Sequence, residues 1–137
     1  MEVHKGQLSF PGGAWDKGDE DLLATAFRES FEEIGLRPED IELLGELDDV
    51  ETLVSNFVIT PFVAAIPYPY EFKINQREVE ELVEVPLSVF LDQNNFSEEL
   101  LQGKGETVVS YSYRYKDHVI WGATARILKQ FLDSVFG

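Results

Sequence analysis

The sequence predicts one domain of the α+β class, or a three-layer α/β/α sandwich. Apolar residues recur with helical spacing in two segments, one near the N-terminus and one at the C-terminus. Between them lie several short segments with strand-like patterns, and strands and helices do not alternate as regular βαβ units. A chain of 137 residues is long enough to bury one core.

The N-terminal part predicts a short strand, a loop and the first helix. Residues 7–10 alternate polar and apolar side chains and are followed by Pro11 and two glycines. Acidic residues at 19–21 favour a helix N-terminus, and Gly35 is a natural terminator. The predicted buried stripe of this helix contains Leu23, Ala26, Phe27, Ser30 and Ile34.

The middle of the chain is rich in strand-like sequence. Residues 41–53 and 57–66 predict two strands, the second apolar enough to be central. Residues 67–70, with two prolines, predict a turn or an edge segment. Residues 79–85 are ambiguous, because valines favour a strand and glutamates a helix. Residues 86–91 predict a short helix.

The C-terminal part predicts a loop, a hairpin and a final helix. Residues 94–105 are interpreted as a polar loop, with one helical turn at 97–101 as an option. Residues 106–115 alternate strongly and predict a strand, with 118–120 as its hairpin partner. Residues 121–136 predict an amphipathic helix, with Trp121 in the core.

Composition excludes several functional classes. The net charge is −15, from 26 acidic and 11 basic residues, which argues against a nucleic-acid polymer or an anionic membrane as partner. There is no cysteine, which excludes thiolate metal sites and cysteine nucleophiles. With no apolar leader and no long apolar run, the sequence predicts a cytoplasmic protein.

Three glutamates on the first helix indicate a cation site. On a helix, Glu29, Glu32 and Glu33 can converge on one side, where like charges repel one another. Hard divalent cations such as Mg²⁺ take oxygen ligands, so such a group of carboxylates is a suitable host. The alternative, a solvated acidic helix face, is the usual fate of a charge run.

The stretch at residues 12–36 resembles the Nudix box, whose general form is G-x5-E-x7-R-E-U-x-E-E-x-G-U. From Glu20 onward the spacing matches completely and ends in R-E-S-F-E-E-I-G-L, with Ser30 at an aliphatic position. The preceding glycine is offset by one, and F-P-G-G-A-W-D-K-G-D looks like the coenzyme A pyrophosphatase branch. Further similarity to that branch lies in H-K-G-Q, T-A-F-R-E, I-T-P-F-V, E-V-E-E-L-V-E-V-P-L and I-W-G-A-T-A.

The resemblance implies a Nudix fold, with a mixed sheet flanked by the Nudix helix and a C-terminal helix. It implies a Mg²⁺- or Mn²⁺-dependent hydrolase that cleaves coenzyme A or its thioesters to 3′,5′-ADP and 4′-phosphopantetheine or its acyl form. Glu29 and Glu33 would be the principal metal ligands, with Glu32 assisting and the Gly12 carbonyl as a further ligand. Arg28, four residues before Glu32, would hold a carboxylate in its coordinating rotamer.

Some features remain open at this level. Members of the branch begin earlier, with a strand that is apparently absent here, and a sheet edge left open in this way could be covered by a second subunit in a homodimer. Asp19 and Glu20 are read as caps or as metal contacts. Candidates for the general base are Glu78, Glu80, Glu81 and Glu84.

Other side chains have both a structural and a functional interpretation. Tyr111, Tyr113 and Tyr115 could stack on an adenine, although packing across strands is favoured. His4 and His118 are expected to be structural or exposed. Two other functions remain open: hydrolysis of another nucleoside diphosphate derivative, such as a dinucleotide or oxidised nucleotide, and non-catalytic nucleotide binding.

Overall fold

A computed structural model describes residues 21–51, 58–79, 81–103 and 105–137. The predicted strand at 7–10, together with His4, Gly12, Asp19 and Glu20, lies outside these residues. Within them the chain forms three helices and seven strands.

The first helix, α1, spans Leu22–Ile34, as the apolar spacing predicts. It begins after Asp21, whose side chain accepts a hydrogen bond from the Ala24 amide at 2.8 Å. It ends at Gly35, in the left-handed conformation with φ 72°, and the Gly35 amide donates to the Phe31 carbonyl at 2.9 Å. The residues that cap the helix are therefore the ones that the sequence indicates.

Four short strands follow α1 in two antiparallel pairs. Strand β1 (Glu42–Glu46) pairs with β4 (Phe62–Ala65), and β2 (Val50–Glu51) pairs with β3 (Val58–Ile59). The two predicted strands are confirmed in type, but each is divided in two. Pro61, which has no N–H, separates β3 from β4, and its carbonyl accepts from the Leu47 amide at 2.9 Å.

A short helix, α2, spans Leu87–Leu91 and confirms the helix predicted at 86–91. The ambiguous stretch before it has no regular structure at residue 79 or at 81–85, so neither a strand nor a helix forms there.

The C-terminal sheet has three antiparallel strands: β5 (Phe96–Gly103), β6 (Glu106–Tyr115) and β7 (His118–Trp121). The strand and hairpin partner predicted for the last two are confirmed. The polar loop predicted at 94–105 is wrong, because a 3-10 turn (Gln93–Asn95) leads directly into β5. Pairing with β6 makes this segment a strand although its outer side chains are polar or exposed, so tertiary context overrides the local pattern.

The final helix, α3, spans Gly122–Phe136 and packs on β6 and β7, confirming the predicted helix. The prediction that Trp121 is buried is wrong, since it is 47% exposed. It is the last residue of β7, next to the buried Ile120, and neighbouring strand residues point to opposite faces. The sheet core between strands and helix contains Tyr113, Ile120, Ala125, Leu128 and Leu132.

A second cluster lies at the end of α1. Ile34, Leu36 and Val79 are buried together, and we call this cluster the helix-end core. Half-buried side chains from residues 66–74, including Tyr70, Phe72 and Ile74, surround it. Much of this core is therefore supplied by irregular chain rather than by strands.

These elements confirm the α+β class. Every strand pairing within the described ranges is antiparallel. No helix in these ranges is long and apolar enough to cross a membrane.

Candidate metal and catalytic site

Three carboxylates meet beside α1. Glu29, Glu33 and Glu78 each place one oxygen so that the three atoms lie within 4.8 Å of one another. Glu33 is 5% exposed, the Glu29 side chain is half-buried, and Glu78 is exposed. The group is thus buried at one side and open to solvent at the other, where a substrate could approach.

Helical spacing places two of these carboxylates. Glu29 and Glu33 are four residues apart on α1, so their side chains lie one above the other on the same face. Glu32, the third glutamate of the sequence prediction, is outside this group among the described residues. Its side chain is 48% exposed and contacts Arg28 instead.

Arg28 bridges the two acidic neighbours on its helix. One guanidinium nitrogen, Nη1, lies 2.9 Å from the Glu29 carboxylate and 3.1 Å from that of Glu32. The structure thus shows the expected contact with Glu32 and adds one with Glu29. Contacts of this kind fix the rotamers of two carboxylates and partly offset their repulsion.

An irregular segment, residues 73–79, brings in Glu78. The Lys73 amide donates to the Ile34 carbonyl at 2.9 Å, and the Asn75 amide donates to the Glu33 carbonyl at 2.8 Å. The last carbonyls of a helix have no partner within it, so this segment satisfies two of them. Val79, fully buried in the helix-end core, anchors the other end of the segment.

Gly35 makes the close approach of this segment possible. A Cβ atom at Gly35 would lie 2.7 Å from the Lys73 Cβ and 2.9 Å from the Lys73 backbone nitrogen. Its φ of 72° is also a conformation that other residues adopt only with strain. The glycine of the REx2EExG pattern therefore serves two needs, which are to end the helix and to admit the segment that carries Glu78.

The donor set fits a hard divalent cation. Like charges within 4.8 Å repel strongly when one of them is buried, and the C-terminal end of a helix adds negative potential. Carboxylate oxygens are the ligands that Mg²⁺ and Mn²⁺ prefer, and an open side leaves room for waters or phosphate oxygens. The described residues that could hold such an ion are Glu29, Glu33 and Glu78.

The other base candidates lie elsewhere or outside the described residues. Glu81 is exposed and contacts His118 at 3.5 Å, which accounts for this half-buried histidine as a structural residue. Glu84 is exposed, and Glu80 and the other histidine fall outside the described residues. Glu78 is thus the one candidate that joins the carboxylate group among the described residues.

The tyrosines of β6 serve packing. Tyr111 stacks on Phe96 with ring centroids 5.7 Å apart, and Tyr113 lies 5.0 Å from the same ring. Burial raises the pKa of Tyr113 to about 12, with smaller contributions from Asp133 and Tyr111. The favoured interpretation, packing across strands, is confirmed for these two residues.

A groove of about 490 Å³ lies on another side of α1. It includes Phe31, which is about 200° around the helix from Glu29. At its rim the Tyr70 hydroxyl donates to Asp40 at 2.7 Å and lowers the pKa of Asp40, with smaller contributions from Arg37. Arg37 is paired with Glu39 and Asp40.

Sequence reasoning did not single out Asn75 or choose Glu78 among the four candidate glutamates. Both lie in an irregular segment without periodicity, so no local pattern indicates which side chain faces the helix. The sequence signal available is the downstream similarity that begins at Glu78.

Comparison with known proteins identifies the family. The NUDIX domain family matches residues 2–102. The chain is 34% identical over 135 residues to a protein of Photorhabdus laumondii, covering 98% of this chain and 72% of that protein. It is 37% identical over 130 residues to a protein of Pectobacterium atrosepticum, covering 95% and 67% respectively. Both relatives are described as uncharacterized Nudix hydrolase NudL. On these matches and the helix that carries the motif, the chain belongs to the Nudix hydrolase family.

Proposed function

We propose that this protein is a divalent-metal-dependent pyrophosphohydrolase that cleaves the diphosphate of coenzyme A or its thioesters. The products would be 3′,5′-ADP and 4′-phosphopantetheine or its acyl form. The observation that carries the metal dependence is the convergence of Glu29 and Glu33 with a third carboxylate at the open side of α1. The substrate is proposed from the F-P-G-G-A-W-D-K-G-D stretch and the downstream similarities.

In this proposal the helix holds the ion and the box arginine keeps the ligands in place. Glu29 and Glu33 would bind Mg²⁺ or Mn²⁺, with Glu32 assisting and the Gly12 carbonyl adding a further oxygen. The bound ion would neutralise the pyrophosphate and lower the pKa of a bound water. Arg28 holds the Glu29 and Glu32 carboxylates through its two contacts, so that neither must reorganise during the reaction.

The bond changes of the reaction are simple. A water oxygen attacks one phosphorus of the diphosphate, and the bond from that phosphorus to the bridging oxygen breaks. One water proton passes to a base. Glu78 is the base candidate that lies with the metal carboxylates, whereas Glu81 is exposed and contacts His118.

The direct test is hydrolysis of coenzyme A by the purified protein with Mg²⁺ or Mn²⁺. We expect metal-dependent release of 3′,5′-ADP, detected by chromatography. No release with either metal would overturn the coenzyme A proposal. A panel with dinucleotides and oxidised nucleotides would then identify another nucleoside diphosphate derivative as the substrate.

A non-catalytic nucleotide-binding protein is the outcome if no member of the panel is cleaved. In that case the wild type and a Glu33→Gln variant would both bind nucleotide without turning it over. A cytoplasmic location and a homodimer remain predictions, which fractionation of cells and sedimentation of the purified protein would check.

A further inference from the structure

A cavity lies between α2, α3 and the C-terminal sheet. Its volume is about 250 Å³, and it is lined by residues of α2, β5, β6 and α3 but, among the described residues, by none of α1. It is therefore separate from the carboxylate group at Glu29 and Glu33, and the proposed hydrolysis makes no use of it. A cavity of about 150 Å³ engineered in another protein holds benzene, so this one has room for an aromatic ring with a substituent.

Four aromatic rings line this cavity, which we call the aromatic cavity: Phe90, Phe96, Tyr113 and Phe136. The centroid of the Tyr113 ring lies 5.0 Å from that of Phe96, and 5.6 Å from that of Phe90 in an edge-on contact. Phe136, at the end of α3, is 50% exposed, so one of the four rings lies at the surface. Rings pack favourably on one another in offset and edge-to-face arrangements, so this wall favours a flat aromatic ligand over a flexible chain.

One hydroxyl group in the wall has no hydrogen-bond partner. Tyr113 is 2% exposed, and no residue in the described ranges forms a hydrogen bond with its hydroxyl group. Every fully buried side-chain nitrogen or oxygen in these ranges does have a partner, so the small exposed area of Tyr113 includes the hydroxyl oxygen. Because Tyr113 lines the aromatic cavity, this oxygen is reached from the cavity. A ligand with an acceptor atom would gain a hydrogen bond here without breaking one inside the protein.

The two charged groups of the wall neutralise each other. Lys129 and Asp133 are four residues apart on α3, and the ammonium lies 2.7 and 2.6 Å from the two carboxylate oxygens. The same ammonium lies over the rings of Phe96 and Tyr111, 5.9 and 5.8 Å from their centroids. An anionic ligand would have to compete with Asp133, and a cationic ligand with Lys129. The charges around the aromatic cavity therefore favour a neutral ligand.

We propose that the aromatic cavity binds a small neutral aromatic molecule whose acceptor atom takes a hydrogen bond from the Tyr113 hydroxyl. The ring of this ligand packs against Phe90, Phe96 and Phe136. Burial raises the pKa of Tyr113 to about 12, so the hydroxyl keeps its proton at neutral pH and acts as a donor. The proposal goes beyond the hydrolase function, because the cavity shares no residue with the carboxylate group on α1.

The test is an NMR titration of the isotope-labelled protein with two probes of the same shape. 4-Methylpyridine has an acceptor nitrogen where toluene has a C–H group, and both are neutral in mildly alkaline buffer. We expect saturable binding of both, with shifts centred on the amides of β6 and α3 rather than on those of α1. Tyr113→Phe should weaken binding of 4-methylpyridine about fivefold, the value of one hydrogen bond, and leave toluene binding unchanged.

Two further variants separate the cavity from its surroundings. Tyr111→Phe removes the hydroxyl two residues earlier on β6, outside the lining of the cavity, and should leave the affinity for both probes unchanged. Phe136→Ala removes a ring that lies at the surface, so the fold is kept. It should weaken binding of both probes by a similar factor, about threefold, because each loses one ring contact.

Charged probes test the class of ligand. Benzoate and benzylamine keep the aromatic ring, but in the same buffer the first is an anion and the second is mostly a cation. Each should bind roughly tenfold more weakly than 4-methylpyridine, because a charge placed in the cavity gains no free partner. Benzoate or benzylamine binding as tightly as 4-methylpyridine would overturn the assignment of a neutral ligand.

Four other results would overturn the proposal. They are absence of saturable binding by either probe, shifts centred on α1, equal weakening of the two probes by Tyr113→Phe, and unchanged affinities in Phe136→Ala. Unfolding midpoints establish that every variant compared is folded, and Phe136→Ala decides the matter if Tyr113→Phe does not fold. Because the titration needs neither metal nor turnover, failure of the proposed hydrolysis and failure of this site are seen separately.

Discussion

The sheet core and the helix-end core are built in different ways. The sheet core lies between a regular three-stranded antiparallel sheet and a fifteen-residue helix, and aromatic rings pack across it. The helix-end core lies between the last turn of α1 and irregular chain, held by hydrogen bonds to the final carbonyls of the helix. Of the buried residues in these two regions, the charged one, Glu33, belongs to the end of α1.

The sheet core mainly stabilises the fold, whereas the end of α1 carries the candidate site. Regular pairing in the sheet core places apolar side chains and satisfies the backbone, which stabilises the fold, and among the described residues it brings no group of three carboxylates together. At the helix end, an irregular segment is hydrogen-bonded to the last carbonyls of the helix, and it places Glu78 beside Glu29 and Glu33. Clustered negative charge makes this region less stable until a cation is bound.

The largest effect is expected from Glu33→Gln. If Glu33 is a metal ligand as proposed, loss of this buried carboxylate should lower kcat about 10³-fold, the upper end for removing one group that stabilises developing charge. Stability without metal should stay the same or rise, because one repelling charge is gone. Steady-state kinetics with Mn²⁺ measure the first effect and denaturant unfolding the second.

The matched control for this variant is Glu99→Gln, on the exposed surface of β5. It changes the net charge by the same amount and should leave kcat unaltered. Equal losses in the two variants would mean that overall charge, rather than the carboxylate site, governs the activity.

Leu132→Ala changes the sheet core and leaves the candidate site intact. Leu132 is buried, and its truncation should lower the free energy of unfolding by about 3 kcal/mol, since a large side chain is lost and a cavity remains. Mn²⁺ affinity of the folded protein should not change. Urea unfolding with and without Mn²⁺ checks both, and a parallel loss of affinity would contradict the separation of the two regions.

Gly35→Ala tests the close approach at the helix end. We expect a loss of about 2 kcal/mol in the free energy of unfolding, from the positive φ and the contact with Lys73 together. Gly105→Ala has a similar φ of 80° but open space around the new Cβ, so it should cost only about 1 kcal/mol.

Gly45→Ala is the baseline of this series, because a Cβ there meets nothing within 4 Å. Gly35→Ala should also weaken Mn²⁺ binding, since the segment that carries Glu78 must move. An effect no greater than that of Gly105→Ala, with unchanged affinity, would show that the approach of residues 73–79 does not matter.

An effect confined to high pH is expected from Tyr113→Phe. Burial raises the Tyr113 pKa from 10.0 to about 12, so the unfolded chain ionises first as pH rises. Its contribution to stability is complete below about pH 10 and is lost between pH 10 and 12. The variant should show a shallower fall in unfolding free energy over that window, and an identical slope would contradict the burial of this hydroxyl.

Sequence patterns predict the regular parts of the molecule well. Helical spacing and capping residues predict α1 and α3, and alternation predicts β6, because each signal is local. The same patterns miss β5, whose strand conformation depends on pairing with β6. They also predict that Trp121 is buried, which is wrong. Trp121 is the last residue of β7 rather than part of α3, so the strand determines the direction of its side chain.

In the candidate site, too, local sequence patterns predict some residues and miss others. Spacing on one helix predicts that Glu29 and Glu33 lie together. The same spacing predicts Glu32 as a member of the group, but in the structure its side chain contacts Arg28. The choice of Glu78 depends on hydrogen bonds between residues more than 30 positions apart, and a single sequence contains no local signal for them. The hydrogen bonds of the Lys73 and Asn75 amides form only in the folded chain.

The central claim is that the carboxylates at the end of α1 form a divalent-cation site. The most direct measurement is the shift in unfolding midpoint on adding saturating Mn²⁺ to the wild type, Leu132→Ala and Glu33→Gln. Binding to the folded state raises the midpoint, and a hundredfold excess over Kd corresponds to about 2.7 kcal/mol. We predict a clear rise for the first two proteins and little or none for Glu33→Gln. An equal rise in all three would contradict the account.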